Sequence, residues 1–398
     1  MKAKTTPQSR RCTSLGALAG AAVILCASEG AQGQILLGFE GPSQYDGASF
    51  GRSIIPPDAM GAVGLTQYVS TTNGAYAVYD KTTGSKLSMV SDLAFWAAAG
   101  QTGTNGETRI MYNAAASRWV AVSSGANSMD LQIAVSRTDN ALGTWQSVKF
   151  QGYGGLGFGA NASYPTLALD KSAIYVGTND FAPATQGGVS FRGTTLNVIP
   201  LNSLFNAGPL TVANMRQFFT PCINSCLGGG TDRGYALQGV NSQAAGSSGK
   251  VVANSLFIND NVVFGIYGLT PSSAAGSTLT APAYLGASLS SYGGPARQPS
   301  TTNPRVINAL DQRISSSVYE SQGKIFMLNT VDSGSDFARV HYTVIDANTN
   351  AILSEGDIGT GNFDYFQGSI AVNAAGQLAS GAHHRKGLTV VVGDGTIE

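Results

Sequence analysis

RIMYNAAASRWVAVSS, residues 109–124, has the pattern of a short apolar strand, a polar turn and a second strand that ends in small residues. Residues 317–330, SVYESQGKIFMLNT, repeat the same order of apolar strand, turn and aromatic-bearing strand. Both stretches continue into alternating segments, LQIAVS at 131–136 and VHYTVID at 340–346, as strands do. The two stretches therefore predict one structural unit that occurs more than once.

Further copies of this unit set the predicted fold. Residues 164–179 resemble 366–381, and residues 59–80 carry another copy, so units begin near 59, 109, 164, 233, 313 and 366. A spacing of about 50 to 55 residues suits the four-stranded blades of a propeller. We therefore predict an all-β chain that forms a β-propeller of about six four-stranded blades. Five or seven blades are alternatives, and a pair of β-sandwiches or a β-helix are the competing folds.

Composition supports many short strands and excludes one class of partner. Hydrophobic residues make up 43% of the chain, charged residues 12%, and 51 residues are glycine, which favours turns over long amphipathic helices. Two stretches rich in Ser, Gly and Pro, 182–193 and 271–303, predict loops. No clustered basic run is present, so the sequence predicts no nucleic-acid partner.

The N-terminal residues predict export. Lys2, Lys4, Arg10 and Arg11 precede the small and apolar run 15–25, and AQG at 31–33 resembles a cleavage site. The competing interpretation, a membrane anchor, needs a longer apolar run. We expect residues 1–33 to be a signal peptide and residues 34–398 to be a single propeller domain, secreted or periplasmic, with no membrane span. The full chain has 23 basic and 23 acidic residues. Removing 1–33 takes away four basic residues and Glu29, which leaves 19 basic and 22 acidic residues.

Cysteine usage agrees with an oxidising compartment. Cys12 and Cys26 lie in the predicted signal peptide, so the mature chain keeps Cys222 and Cys226. We expect these two to form a local disulfide. The alternative is a pair of free or metal-binding thiols, but no second Cys or His pair lies nearby in sequence to complete a zinc site.

PPDAMGAVG at 56–64, followed by QYV at 67–69 and AVYD at 77–80, resembles a group of bacterial exported propeller proteins of unassigned function. The resemblance covers most of residues 50–380 and implies fold and export, with no catalytic residues to carry over. The chains it resembles usually continue after the strand that matches 370–382, so we expect an N-terminal strand, Ile35–Phe39, to complete the last blade. SRTDNALGTW at 136–145 resembles a loosened Asp-box of sialidase-like propellers. That likeness implies that Asp139 accepts backbone N–H bonds and that Trp145 packs between blades.

Candidate site residues lie at unit starts or in adjoining loops, where blades direct side chains toward a central channel. The candidates for binding are Asp58, Trp96, Arg109, Tyr164, Arg313 and Tyr365. The stretch 346–350, DANTN, alternates oxygen ligands like a calcium loop, but it lacks the glycine and distal glutamate, so a hairpin turn is the better interpretation. The sequence predicts neither a metal site nor a cofactor.

Three functions compete at this stage. The leading hypothesis is a non-enzymatic, monomeric propeller that binds a glycan, a peptide or an envelope protein through loops on one face. The alternative is a carbohydrate-active hydrolase or lyase with a carboxylate site on the channel face, although no catalytic motif is present. A purely structural role in the envelope is the third.

Overall fold

The computed structural model describes residues 37–393 apart from 156–160, 184–188, 222–232, 243–248, 256–257, 288, 291–295, 298–305, 308, 333–336, 360–362, 374–375, 377 and 385–386. These residues belong to the compact unit Gln32–Glu398. The predicted signal peptide, 1–33, and the predicted disulfide partners Cys222 and Cys226 lie outside the described residues.

The first two sheets are antiparallel meanders whose strands pair in sequence order. The first contains β1 (Met60–Val63), β2 (Gln67–Thr72), β3 (Ala75–Asp80) and β4 (Lys86–Ser91). The second contains β5 (Thr104–Asn113), β6 (Arg118–Gly125), β7 (Asp130–Ser136) and β8 (Trp145–Gln151). The strands predicted in 109–124 and 131–136 are confirmed as β5, β6 and β7.

The third sheet contains the longest hairpin of the described chain. Its strands are β9 (Asn161–Ser163), β10 (Ala168–Leu169), β11 (Ala173–Pro183), β12 (Val189–Pro200) and β13 (Arg216–Pro221). They pair in the order β10-β11-β12-β13, and β9 also pairs with β11. The prediction of a loop over 182–193 is wrong for its described residues, because β11 runs to Pro183 and β12 begins at Val189. The pairing of the two strands includes Phe181 opposite Phe191 and continues to Pro183 opposite Val189.

The later sheets follow the same plan. The fourth set is β14 (Tyr235–Asn241), β15 (Lys250–Asn254), β16 (Asn261–Tyr267), β17 (Thr278–Leu279) and β18 (Ala283–Tyr284), followed by the two-stranded pair β19 (Ala296–Arg297) and β20 (Val306–Ile307). The fifth is β21 (Val318–Ser321), β22 (Lys324–Asp332), β23 (Ala338–Asp346) and β24 (Ile352–Ile358), and the sixth is β25 (Tyr365–Val372), β26 (Leu378–His384) and β27 (Gly387–Gly393). A parallel pairing of β14 with β21 joins the fourth and fifth sets into one sheet. The predicted unit starts lie at or within a few residues of the first strand of each set.

Helices are few and short in the described residues: α1 (Gln44–Ser49), α2 (Asp92–Ala98) and α3 (Leu201–Leu204). Ser43 and Asp46 form a capping box at α1, and the Ser91 hydroxyl caps α2. The all-β class is thus confirmed. None of the described helices has the length and apolar character needed to cross a bilayer.

The core lies between successive sheets. Each of five clusters of buried side chains joins one set of strands to the next along the chain. Representative members are Tyr76 with Trp145, Leu131 with Leu169, Val198 with Phe264, Val252 with Met327, and Phe326 with Ile370. Burial of these apolar faces is the main favourable contribution to folding. Each set of strands therefore packs on the next set along the chain through buried apolar side chains.

Trp145 shows how the Asp-box-like stretch contributes to this packing. Its ring lies 5.1 Å from the Phe95 ring and 6.4 Å from the Tyr76 ring, both from the preceding part of the chain. The predicted packing of Trp145 between sheets is confirmed. The prediction for the Asp139 carboxylate is wrong, because in the described residues it is the neighbouring Asn140 side chain that accepts a backbone N–H bond, from Leu142 at 2.9 Å. Asp139 contributes its backbone oxygen to Trp119 Nε1 at 2.7 Å.

The hairpin turns at Asp346 and Asp80 share one hydrogen-bonding geometry. Asp346 Oδ1 accepts the backbone N–H groups of Asn348 and Thr349 at 2.9 and 2.8 Å. Asp80 Oδ1 accepts those of Thr82 and Thr83 at 2.9 and 2.8 Å. The Asp346 carboxylate thus closes a turn, and the hairpin interpretation of 346–350 is confirmed.

The N-terminal segment packs on the first sheet. Leu37–Phe39 form no strand, and the Phe39 ring lies 4.9 Å from Tyr79 and 5.7 Å from Tyr68. Gly84 makes room for Phe39, because a Cβ there would lie 2.8 Å from the Phe39 ring. For these residues the prediction that Ile35–Phe39 completes the last sheet is wrong, since aromatic contacts hold Phe39 elsewhere; Ile35 lies outside the described residues.

Candidate functional site

In four of the strand sets, a residue within or directly after the first strand has its backbone in the left-handed region. Glu107, Tyr164, Ala236 and Gln367 have φ values of 58°, 54°, 51° and 51°. Such values are uncommon for residues other than glycine and cost stability unless surrounding contacts hold them. At these starts the strand register also shifts in β5, β14 and β25. We call these positions the strand-start joints.

Side chains already placed by the preceding sheet hold the joints. The Glu107 N–H donates to Asn73 Oδ1 at 2.6 Å, and the Ala236 N–H donates to Asn179 Oδ1 at 2.9 Å. The Gln367 N–H donates to Thr330 Oγ1 at 3.1 Å. Each of these hydrogen bonds crosses from one sheet to the next. The strand starts are therefore tied together, and their side chains share one end of the sheets.

A continuous row of aromatic and arginine side chains crosses this end. Phe181 and Phe191 rings lie 5.6 Å apart, and Phe191 lies 5.4 Å from Tyr235. The Arg313 guanidinium lies 4.7 Å from the Tyr235 ring centre and 4.6 Å from that of Tyr164. Arg109 completes the row at 4.8 Å from the Tyr164 ring. We call these six side chains the aromatic–arginine row; all except the buried Arg109 are partly exposed.

Arg313 is fixed from two directions. Its Nε and Nη2 bind the two oxygens of Asp311 at 2.7 and 2.8 Å, and Nη2 also donates to the Tyr235 hydroxyl at 3.0 Å. Burial alone would lower the pKa of Arg313, but the hydrogen bond and charge of Asp311 raise it above its usual value. Burial raises the pKa of Tyr235, and the charge of Arg313 opposes part of that rise. The guanidinium is thus a permanent, oriented cation in the middle of the row.

Glu107 organises the other end of the row. Its carboxylate accepts bonds from the Ser124 hydroxyl at 2.9 Å, the Ser163 hydroxyl at 3.2 Å and the Tyr164 N–H at 3.0 Å. Arg109, two residues on, donates from Nε to the Pro165 oxygen at 3.0 Å. These bonds fix Tyr164 in its left-handed conformation between the second and third sheets.

Glu107→Ala is expected to lower the free energy of unfolding by about 2 kcal/mol, because three donors lose their acceptor. Urea unfolding of the variant checks this value. Glu107→Gln keeps one accepting oxygen, so its loss is expected to be smaller. Equal stability of Glu107→Ala and the wild type would contradict the assigned role.

The structure brings together four of the six predicted site residues. Arg109, Tyr164 and Arg313 belong to the row, and Asp58 joins it through Asn73, whose Nδ2 donates to Asp58 Oδ2 at 2.9 Å while its Oδ1 binds Glu107. These contacts place the residues at one end of the sheets, and their role in binding stays a prediction.

The other two predicted residues lie in the core. Trp96 is fully buried in α2, where it contacts Phe95 at 5.2 Å between ring centres, so it offers no surface to a ligand. Tyr365 is 7% exposed and packs against the Arg339 guanidinium at 5.6 Å. Trp96 departs from the expectation because its segment is a short amphipathic helix packed on the first two sheets, whereas the sequence indicated an exposed loop.

Sequence reasoning missed four members of the site. Two of them had a usable sequence signal in their position near a unit start. Glu107 lies two residues before Arg109, and Tyr235 lies just after the unit start near 233. Phe181 and Phe191 flank a stretch whose glycines and prolines indicated a loop, which concealed the hairpin. No group of three or more His, Cys, Asp or Glu side chains in the described part of the chain is arranged to hold a metal ion.

Comparisons with known proteins give distant structural similarity alone. No family model and no curated protein sequence matches the chain. A subtype N10 neuraminidase-like protein of A/little yellow-shouldered bat/Guatemala/060/2010 is similar at 9% identity and a TM-score of 0.43, covering 84% of this chain and 94% of that one. The β-propeller domain of the Trilobed protease from Pyrococcus furiosus is similar at 9% identity and 0.38, covering 85% and 84%. An endo-arabinase from Bacteroides thetaiotaomicron is similar at 11% identity and 0.33, covering 76% and 96%. Similarity at this level establishes neither a shared fold nor a shared activity.

Proposed function

We propose that the chain is an exported β-propeller of six blades that binds a glycan through the aromatic–arginine row without transforming it. Six successive sets of strands, each packed on the next, support the architecture. In a propeller the innermost strands of all blades start around one channel, which is how side chains from β5, β14 and the segments around 164 and 313 would converge.

The aromatic–arginine row is the observation that carries the binding proposal. Ligand sites combine apolar and aromatic surface with a few fixed polar groups. Sugars present apolar C–H faces rimmed by hydroxyl groups, so partly exposed rings such as Phe191 and Tyr235 beside the fixed Arg313 suit both parts of a sugar. Arg313 and Tyr235 hold each other in place, so little side-chain entropy is lost when a ligand binds.

The state of the carboxylates supports binding over hydrolysis. Glu107 accepts three hydrogen bonds, Asp311 pairs with Arg313 and Asp58 accepts from Asn73. A glycosidase needs one carboxyl that delivers a proton and a second that acts as base or nucleophile, both open to the sugar. The acidic groups of this face are instead engaged with the protein. A carbohydrate-active hydrolase or lyase is therefore the second candidate.

Tyr235→Ala is expected to weaken glycan binding at least about tenfold, because a central ring of the row is lost and Arg313 loses a partner. A glycan array on the full chain, followed by a turnover assay on the same sugars, tests both candidates. Tyr267→Ala is the matched control, since Tyr267 is 69% exposed at the end of β16 and outside the row.

Three results are informative. Binding without product that is lost in Tyr235→Ala and kept in Tyr267→Ala supports the proposal. Product formation would overturn it in favour of the hydrolase. Absence of any glycan binding would overturn it in favour of a structural or protein-binding role.

A further inference from the structure

Asp180 is a buried carboxyl group in the stem of the β11–β12 hairpin. Its side chain is fully buried and its two oxygens accept the Thr178 hydroxyl at 2.8 Å and the Thr195 hydroxyl at 2.6 Å. Thr195 Oγ1 in turn accepts the Gly154 N–H at 3.0 Å. In the described part of the chain no cation forms an ion pair with Asp180. Burial makes an ionised carboxylate costly in such a place, and the two hydroxyl donors offset part of that cost.

This carboxyl group lies where the hairpin meets the aromatic–arginine row. The pairing of β11 with β12 shifts register between Asp180 and Phe181, and Phe181 then faces Phe191. On the other side of Asp180, Asn179 Oδ1 holds the Ala236 N–H, next to Tyr235. The residues before and after Asp180 therefore connect the hairpin to the row through two separate contacts.

The surroundings of Asp180 contain few charges. Across β9 and β12 its partners are Ala162 and Gly193, which carry none. Tyr153, after β8, and Arg192, on β12, are the titratable and charged groups nearby. Burial and the charge of Asp180 raise the pKa of Tyr153, and the charge of Arg192 lowers it. Burial raises the pKa of Asp180 from 3.8 to about 7, and the bonds from Thr195 and Thr178 oppose part of that rise.

We propose that Asp180 is a proton-dependent latch that keeps the β11–β12 hairpin, and with it Phe181 and Phe191, closed against Tyr235. In the closed hairpin the carboxyl retains its proton up to near-neutral pH, whereas opening exposes it to water, where the proton dissociates. The regulation of ligand binding that this implies rests on the proposed function, while the opening of the hairpin does not.

The direction of the pH effect follows from proton linkage. Below pH 3.8 the carboxyl is protonated in both states, and between 3.8 and about 7 only the closed state holds the proton. Opening then releases one proton, so the opening equilibrium rises about tenfold for each pH unit over that range. Above pH about 7 both states are ionised and the dependence levels off. The closed hairpin is therefore favoured at pH values below about 7.

Hydrogen exchange of the hairpin amides from pH 5 to 9, corrected for intrinsic rates, tests the latch in the full chain. We expect wild-type protection in β11 and β12 to fall about tenfold per pH unit up to neutrality and then level off. Asp180→Asn keeps the shape and removes the titration, so its protection is expected to be independent of pH. Equal pH profiles of the wild type and Asp180→Asn, whether both flat or both sloping, overturn the proposal.

Two further variants guard against a trivial loss of structure. Thr178→Val removes one donor to the ionised carboxylate, so the levelling-off is expected at higher pH than in the wild type. Asp170→Asn alters a buried carboxylate at the opposite end of β11, bonded to Tyr175 and Gly249. It is expected to keep the wild-type pH slope in the part of β11 and β12 around Phe181 and Phe191. A Thr178→Val profile that levels off at lower pH would contradict the latch.

Binding of a glycan found on the array gives an independent readout. We expect the wild type to bind at least about threefold more weakly at pH 8 than at pH 5, because less of the protein is closed, and Asp180→Asn to bind equally at both. If the hairpin opens as described and glycan affinity stays constant with pH, the regulatory part of the proposal is wrong. If no glycan binds, the proposed function fails and the exchange experiment still decides the latch.

Discussion

Gly177→Ala is expected to lower the free energy of unfolding by about 3 kcal/mol, the upper part of the range for overpacking a core. Gly177 lies in β11 where the third sheet packs on the fourth. A Cβ at this position would lie 2.2 Å from the backbone oxygen of Leu237 and 2.8 Å from its Cβ. A backbone oxygen cannot turn aside as a side chain can, so β11 and β14 must move apart. Urea unfolding measures the loss.

Gly276→Ala is the matched control for this substitution. A Cβ at Gly276 would have no heavy atom within 4 Å, and its φ lies outside the left-handed region. We expect a change below about 0.5 kcal/mol, as for surface substitutions in general. If Gly177→Ala were as stable as Gly276→Ala, the close approach of β11 and β14 would be wrong.

Arg52→Ala is expected to cost about 3 kcal/mol, because it leaves the buried Asp92 carboxylate without its cation. Arg52 Nε and Nη2 bind Asp92 at 3.1 and 3.0 Å, and Nη2 also donates to the Thr104 oxygen at 3.0 Å. The Asp92 side chain is 3% exposed and that of Arg52 is 20% exposed, which puts the effect at the lower end for a buried pair. Thermal and urea unfolding of the variant measure it.

A surface pair provides the comparison. Lys149 lies 3.6 Å from Asp130 and is 52% exposed, so Lys149→Ala is expected to cost less than about 1 kcal/mol. Adding Asp92→Asn to Arg52→Ala removes the unpaired charge and is expected to restore part of the stability. A double variant that is less stable than Arg52→Ala would show that charge burial is not the cause.

Much of the sheet pattern was predictable because it depends on local alternation. The strands around 109–124 and 317–330 have apolar residues with period two and turns between them, and the structure contains β5, β6, β21 and β22 there. The position of Phe39 was not predictable, because a single aromatic residue before the first sheet carries no periodicity. Its place is set by a contact surface that Tyr68, Tyr79 and Gly84 create after folding.

The candidate site was predictable to the extent that it follows the repeat. Arg109, Tyr164 and Arg313 were found because equivalent positions of a repeated unit occupy equivalent places in the fold. Trp96 was misplaced because a seven-residue helix between two sheets has no counterpart in the repeat. Phe181 and Phe191 were missed because their cross-strand pairing depends on a register shift that composition does not reveal.

The strand-start joints also bear on how far the side chains of this face can be varied. At Ala236 and Gln367 the joint is a backbone N–H bound by a side chain of the preceding sheet, so the attachment does not depend on what the joint residue itself carries. Glu107 is the exception, because its carboxylate also holds Tyr164. Acidic, aromatic, aliphatic and amide residues occupy these positions in a single chain. A partly exposed joint such as Gln367 can therefore carry a different side chain while its backbone link to the preceding sheet stays intact, whereas the buried Ala236 leaves no such room.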